Sequence, residues 1–96
     1  MPFYVSHITL TEQGLDEIDK VHGRIEENKK LWEGCGGKLI AWYVVFGDYD
    51  YLTITEAPNE KVMAAIALKA SRRGRSRFKT LAAIPIEDFG QVASHL

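Results

Sequence analysis

The segment 38–46, which reads Lys-Leu-Ile-Ala-Trp-Tyr-Val-Val-Phe, limits the possible folds of this chain more than any other feature. It is short and rich in aromatic and β-branched residues, a composition typical of a strand rather than a helix. Successive side chains of a strand point to opposite faces of its sheet. One face would therefore carry Ile40, Trp42, Val44 and Phe46, and the other Leu39, Ala41, Tyr43 and Val45. Because both sets are apolar, both faces of the sheet should be covered.

The remaining segments predict the element order βαββαβ. Aromatic and β-branched residues bounded by turn signals indicate strands at 2–10, 49–56 and 76–84, and Gly47-Asp48 is a turn signal that would join the middle two strands in a hairpin. One long helix is expected from a cap at Thr11 to about Gly34, and a second from a cap at Asn59 to about Gly74. A short helical or irregular tail should follow Pro85.

This element order has a consequence for the sheet. Two right-handed crossover helices land on the same face of a four-stranded antiparallel sheet, which gives an α+β, ferredoxin-like sandwich as one domain over residues 1–96. The other face then carries apolar side chains with no helix to cover them. A second copy packed sheet against sheet is the simplest cover, so we expect a homodimer or larger oligomer in which a cavity can form between the sheets. The alternative is that the tail folds over this face.

Composition and charge exclude several classes of protein. With 46% hydrophobic residues, 10% aromatic residues and a net charge of −1, the chain is typical of an ordered globular domain and not of a disordered or histone-like protein. No apolar run approaches the roughly 18 residues of a membrane span. Residues 1–4 lack the features of a signal peptide, so a cytoplasmic location is expected. The single cysteine, Cys35, excludes an internal disulfide and a multi-cysteine zinc site.

The near-neutral net charge conceals a basic segment at 69–79. This segment contains six of the twelve Lys and Arg residues and no acidic residue. Its candidate anion-binding residues, with guanidinium groups able to contact phosphate or nucleic acid, are Arg72, Arg73, Arg75 and Arg77. The aromatic motif of single-stranded RNA-binding modules is absent, so nucleic acid is not the expected partner. The alternatives are cations solvated at a helix C-terminus and ion pairs with the acidic first helix of another copy.

The three histidines do not have the spacing of a metal site, so no metal and no cofactor is expected. His7 differs from the other two because it shares a strand face with Phe3 and Val5, where a pocket between paired sheets would lie. It could bind a ligand or transfer a proton, since imidazole titrates near neutral pH. The alternative is a core or interface histidine bonded to a neighbour. Tyr43, Tyr51 and Trp42 are the expected neighbours of His7 in such a pocket, although Trp42 and Tyr43 point to opposite faces.

A further set of motifs surrounds the expected hairpin. Its turn is Gly47-Asp48-Tyr49-Asp50, and the flanking motifs are Thr11-Glu12-Gln13-Gly14, Gly36-Gly37-Lys38, Thr80-Leu81 and Asp88-Phe89. With these motifs the chain resembles the GYD-domain family, although Arg75-Ser76 stands where family members often carry Asn-Val. The resemblance implies a ferredoxin-like protomer that pairs as a dimeric α/β barrel. The biochemical role that it implies is mostly unassigned.

Tyr49 and Asp50 are candidates for function because one of them could project into a cavity as a proton donor or acceptor. The alternative is that they fix the turn by hydrogen bonding and packing. Together with His7, Tyr43 and Tyr51 they are the predicted ligand-binding residues. The predicted function is binding of a small organic ligand between paired sheets, to which cofactor-free oxidoreductase or isomerase chemistry could be added. An anion- or nucleic-acid-associated module and a purely structural subunit are the alternatives, and the sequence assigns no catalytic residue.

Overall fold

A computed structural model describes residues Met1–Leu96 as a four-stranded antiparallel sheet with helices on one face. The strand order is β2-β3-β1-β4, which is that of the ferredoxin-like fold, so the predicted fold class is confirmed. The strands are β1 (Phe3–Leu10), β2 (Lys38–Val44), β3 (Tyr51–Glu56) and β4 (Ser76–Ala83). The helices are α1 (Glu12–Asp16), α2 (Ile25–Gly34), α3 (Glu60–Ser71) and α4 (Phe89–Ala93), with 3-10 segments at Ile18–Arg24 and Ile86–Asp88. None of the helices has the length and apolar character needed to cross a bilayer.

Both predicted helix caps are present. The Thr11 hydroxyl accepts a hydrogen bond from the backbone N–H of Gly14 at 3.1 Å, and the Asn59 side-chain oxygen accepts one from the backbone N–H of Val62 at 3.0 Å. Each bond satisfies a donor that the first helical turn cannot pair internally. The second helix, α3, buries one apolar stripe at helical spacing, which consists of Met63, Ile66 and Ala70.

The first helical region is not the single long helix that its residue pattern predicts. It begins as α1, continues as the 3-10 segment Ile18–Arg24 and becomes regular again only in α2. Gly14 and Gly23 have low helix propensity, and the 3-10 segment buries none of its residues. Little packing therefore favours a regular α-helix over this stretch, and the region fills the core mainly through Trp32.

β2 contains an irregularity that changes which of its side chains face the helices. Leu39 and Ala41 pair with neighbouring residues of β3, so Ile40 is an extra residue in the ladder. This bulge places Leu39 and Trp42 on the helix side of the sheet and Ala41 and Tyr43 on the other side. The strict alternation predicted from the sequence is therefore wrong for this strand.

The connection between β2 and β3 is longer than the predicted tight turn. β2 ends at Val44 and β3 begins at Tyr51, so the loop 45–50 joins them. The loop closes through a hydrogen bond from the backbone N–H of Val45 to the carbonyl of Asp50 at 2.9 Å. Phe46, predicted as the last residue of the strand, lies in this loop with 98% of its surface exposed.

The best-packed part of the core lies between α2, α3 and the centre of the sheet. Its largest apolar members are Tyr4, Trp32, Leu39, Met63 and Ile66. The ring N–H of Trp32 donates a hydrogen bond to the Thr55 hydroxyl at 2.9 Å, so both buried polar groups are satisfied. Gly37 gives Ile66 its space, because a Cβ at position 37 would lie 2.7 Å from Ile66 Cδ1.

The two faces of the sheet differ from those of a simple two-layer protein. The face toward the helices carries three hydroxyl residues that are at most 2% exposed, Ser6, Thr53 and Thr55. The opposite face, called the open face below, has at its centre Phe3, Val5, Leu52, Ile54 and Leu81. An antiparallel sheet with one solvated face usually turns its apolar residues inward and its polar residues outward. The open face is therefore apolar where a solvated face would be polar.

The C-terminal tail does not cover the open face. Residues 84–96 form short helical structure, as predicted, but none of them is buried. Ile86 and Phe89 of the tail are 76% and 50% exposed, and Tyr43 and Leu81 of the open face are 55% and 58% exposed. The alternative in which the tail folds over this face is therefore wrong, and both surfaces lack a partner within the chain.

Candidate functional site

The predicted ligand-binding residues lie on both faces of the sheet and do not form one site. His7 and Tyr43 are on the open face, where each is opposite Leu52 in the strand register. Tyr51 is on the helix side, opposite Ile8 of β1. The expectation that Tyr51 and His7 share a pocket is therefore wrong for a single chain, because adjacent positions along β3 alternate between faces.

His7 and Tyr49 are brought together on the open face. The loop 45–50 returns Tyr49 against the imidazole, with ring centroids 4.3 Å apart and an interplanar angle of 61°. This edge-to-face arrangement is a favourable aromatic geometry. Lys79 of β4 lies directly across from His7 in the register. The pair therefore forms a half-buried aromatic contact at the margin of an apolar surface.

Asp50 makes three hydrogen bonds, two of which join the loop to β1. Its carboxylate accepts from the backbone N–H of Leu10 at 2.8 Å, and its own N–H donates to the carbonyl of Ile8 at 2.9 Å. Its carbonyl accepts from Val45 N–H at 2.9 Å. The two bonds to β1 continue the β1–β3 ladder beyond the last paired residues. This geometry agrees with the alternative in which Asp50 fixes the turn by hydrogen bonding. The carboxylate, however, bonds to strand β1 and not to the turn itself.

Tyr51 lies inside the layer between the sheet and the helices. Its ring makes an edge-to-face contact with Trp42, with centroids 5.4 Å apart. The residue is 7% exposed, and its hydroxyl is buried without a hydrogen-bond partner. Burial, and to a smaller extent the nearby negative charge of Asp50, raises the pKa of Tyr51 above its usual value. The hydroxyl therefore keeps its proton at neutral pH, and this donor has no acceptor within the chain.

A cavity of about 60 Å³ opens beside Tyr51 between the sheet and the helices. Its walls include the rings of Trp32, Trp42 and Phe78, and Thr53 lies on its sheet side. The Thr53 hydroxyl is also buried without a partner. Two neighbouring buried hydroxyls without partners are unusual, since native structures pair nearly all such groups.

The four candidate arginines are divided by the fold. Arg73 and Arg75 line the cavity, whereas Arg72 and Arg77 are exposed and lie outside it. Arg73 donates a hydrogen bond to the side-chain oxygen of Asn28 at 2.6 Å, and it forms an ion pair with the carboxylate of Glu27 at 3.4 Å. The basic segment therefore does not form a single continuous surface, and its pairing with an acidic helix occurs within one copy.

The position of Arg75 is fixed by α1. The backbone N–H of Thr11 donates to the carbonyl of Arg75 at 3.0 Å, and the Thr11 hydroxyl donates to the carbonyl of Gly74 at 2.6 Å. Gly14 permits this contact, because a Cβ there would overlap the Arg75 carbonyl oxygen. The helix start thus holds the beginning of β4 against the rim of the cavity.

Sequence reasoning missed most of the cavity lining, including Asn28, Thr53 and Gly14. Thr53 carries a signal in hindsight, because Tyr51, Thr53 and Thr55 alternate with Leu52 and Ile54. That alternation suggests that the hydroxyl face is the solvated one, and the structure buries it instead. Asn28 and Gly14 have no signal that separates them from ordinary helical residues.

Comparisons with known proteins agree with the motifs in the loop and the helix starts. The family described as "GYD domain" matches residues 4–93. A curated protein of Thermus thermophilus, named "Glutamine synthetase and cystathionine beta-lyase binding protein", is 35% identical over 89 residues, which cover 92% of this chain and 94% of that relative. No solved structure gives a significant match.

Proposed function

The chain belongs to the GYD-domain family, and we propose that it is a protein-binding domain whose contact surface is the open face of its sheet. The observation that carries the proposal is that the open face is apolar at its centre although no element of the chain covers it. Ser6, Thr53 and Thr55 face the helices, while apolar side chains occupy the face that no element covers. Contiguous exposed apolar surface of this kind typically marks a site of association.

The name of the Thermus relative suggests which proteins to test first. That relative is described as binding glutamine synthetase and cystathionine beta-lyase. Because the two chains align over nearly their full lengths, we propose the corresponding two enzymes of the source organism as partners of this chain. The open face supplies burial energy, and the lysines Lys38 and Lys79 at its edges supply positive charge for acidic groups on a partner.

The same surface also supports pairing of two copies. A homodimer would cover the open face sheet against sheet, in the manner of a dimeric α/β barrel. In such a dimer His7 and Tyr49 are the groups that would contact a small organic ligand held between the sheets. This proposal is supported by the half-buried state of both side chains and their 4.3 Å contact.

A matched pair of variants tests the contact surface. Leu81→Glu places a charge on the open face, and Leu68→Glu places the same charge on the outer side of α3, where the leucine is 71% exposed. We expect Leu81→Glu to weaken binding to an immobilised partner enzyme about tenfold or more, since a desolvated charge is costly, and Leu68→Glu to leave it within about twofold. Equal binding by both variants and the wild type would contradict the proposed surface.

Light scattering on the same proteins separates pairing from partner binding. If two copies cover the open face, Leu81→Glu lowers the molecular mass in solution and Leu68→Glu does not. The wild-type chain could have the mass of one copy and still bind a partner enzyme. That result would support the proposed protein-binding function and exclude the homodimer.

A further inference from the structure

The interior of the cavity beside Tyr51 contains polar groups that the chain does not satisfy. Thr53 is 2% exposed and Tyr51 is 7% exposed, and neither hydroxyl has a hydrogen-bond partner. Burying a hydroxyl without a partner costs free energy. The surrounding walls are largely apolar and include Trp32 and Trp42. The cavity therefore combines apolar walls with two free hydrogen-bonding groups, which is the usual construction of a small-molecule site.

The rim of the same cavity carries more positive than negative charge. Arg24 pairs with Glu17 at 2.7 Å, and Arg73 pairs with Glu27 at 3.4 Å. Arg75 makes no ion pair and no side-chain hydrogen bond within the chain. Burial, and then the nearby charge of Arg75, lowers the pKa of Arg73, so the two guanidinium groups repel each other. An anion at the rim would relieve this repulsion.

We propose that this cavity binds a small organic carboxylate. The carboxylate group pairs with the guanidinium group of Arg75, whose planar fork matches two carboxylate oxygens. The short carbon chain contacts the aromatic walls, and a second oxygen of the ligand accepts a hydrogen bond from the Tyr51 hydroxyl. The volume of about 60 Å³ limits the ligand to a few carbon atoms. The site is distinct from the proposed protein contact, because it lies on the opposite side of the sheet.

The apolar walls favour a carboxylate over inorganic phosphate. Nine of the sixteen residues that line the cavity are hydrophobic. A phosphate has no carbon body to contact these walls, so it would leave the apolar part of the cavity unfilled. A carboxylate with a hydroxyl group, such as lactate, matches both the charged rim and the interior donor.

Tryptophan fluorescence can report binding, since the only two tryptophans of the chain, Trp32 and Trp42, both line the cavity. The purified full chain is titrated with acetate, propionate and lactate, and with phosphate and chloride at matched ionic strength. We expect a saturable change with lactate that phosphate and chloride do not produce. No saturable change with any carboxylate, or one with phosphate alone, would overturn the proposal.

Two arginine variants separate a specific site from general attraction by a basic segment. Arg75→Gln should raise the dissociation constant for lactate about tenfold or more. Arg77→Gln is the matched control, because Arg77 is exposed and lies outside the cavity; it should change the constant by less than about twofold. Equal losses in both variants would show that the attraction is nonspecific and would overturn the site.

Tyr51→Phe tests the interior independently of the rim. It removes the hydroxyl and keeps the ring, and circular dichroism checks that the variant folds. We expect the dissociation constant for lactate to rise about threefold or more. If Tyr51→Phe raises the melting temperature and leaves the titration unchanged, the free hydroxyl is only a packing defect and the proposed ligand contact is wrong.

Discussion

The layer between the sheet and the helices has two ends that are built differently. At the packed end, Thr55 is hydrogen-bonded to Trp32, whose ring also forms one wall of the cavity; at the cavity end, Thr53 lies near Tyr51. Both threonines are on one face of β3 and are at most 2% exposed. Thr55 accepts a hydrogen bond from the ring N–H of Trp32 at 2.9 Å, whereas Thr53 has no partner. Residue type, strand face and burial are matched, so the pair isolates the effect of hydrogen bonding.

With the proposed ligand site at the cavity end, the chain divides stability and binding between the two ends of one layer. The packed end joins apolar side chains and a satisfied polar pair, which stabilises the folded state. The cavity end keeps two buried hydroxyls without partners, which destabilises it. Local destabilisation of this kind is common at binding sites, where a ligand completes the missing contacts. Substitutions at the two ends should therefore have opposite effects on stability.

Ile66→Ala should give the largest effect, at the packed end. Ile66 is fully buried, and its Cδ1 occupies the space that Gly37 leaves open. Truncation would create a cavity, and we expect it to lower the free energy of unfolding by about 2–5 kcal/mol. Urea denaturation measures the loss. Leu68→Ala on the exposed side of the same helix is the control and should cost less than about 0.5 kcal/mol. Similar losses in the two variants would contradict the assignment of the packed end.

Thr55→Val should have the next largest effect. The substitution keeps the shape of the side chain but leaves the ring N–H of Trp32 buried without an acceptor. We expect a loss of about 1–3 kcal/mol in the free energy of unfolding. An unchanged stability would mean that Trp32 finds another acceptor, and it would remove the contrast between the two ends.

Thr53→Val should change stability in the opposite direction. The hydroxyl that it removes has no partner, so the valine avoids the cost of burying an unpaired polar group. We expect the free energy of unfolding to rise by about 1 kcal/mol, measured in the same urea experiment as for Thr55→Val. A loss as large as that of Thr55→Val would show that Thr53 is satisfied in solution by a group within the protein.

The parts of the fold that the sequence predicted depend on local chemistry. The caps at Thr11 and Asn59 need only one side-chain oxygen and a nearby backbone N–H. The buried stripe of α3 follows from helical spacing alone. The bulge at Ile40 was not predictable in the same way, because it depends on the pairing of β2 with β3 and leaves no distinct mark in an apolar run.

The candidate residues were assigned to the wrong groups because their neighbours are set by tertiary structure. The sequence placed Tyr51 with His7 in one predicted site and Arg73 and Arg75 in another. In the structure the start of β3 and the start of β4 lie at the same end of the sheet, so Tyr51 and these arginines line one cavity. The contact between His7 and Tyr49 was equally invisible, since it depends on how the loop 45–50 folds back.

The smallest expected effect concerns the alkaline limit of stability at the cavity end. Burial raises the pKa of Tyr51, so the folded chain holds this proton more tightly than the unfolded chain does. The resulting contribution to stability is fully present below the ordinary tyrosine pKa of about 10 and is lost as the pH rises through the raised folded value. We therefore expect the melting temperature to fall more steeply above about pH 10 in the wild type than in Tyr51→Phe.

Tyr51→Phe is the necessary comparison because the two proteins share every other titratable group of the chain. Any pH dependence from those groups is common to both proteins, and only the wild type loses the contribution of Tyr51. The melting temperatures of the two proteins are measured between about pH 8 and pH 11, and the difference between their slopes isolates one group. Parallel curves would mean that the folded chain holds the Tyr51 proton no more tightly than the unfolded chain does. The cavity would then admit enough water to solvate the hydroxyl, and the contrast with the packed end would be one of hydration rather than of missing partners.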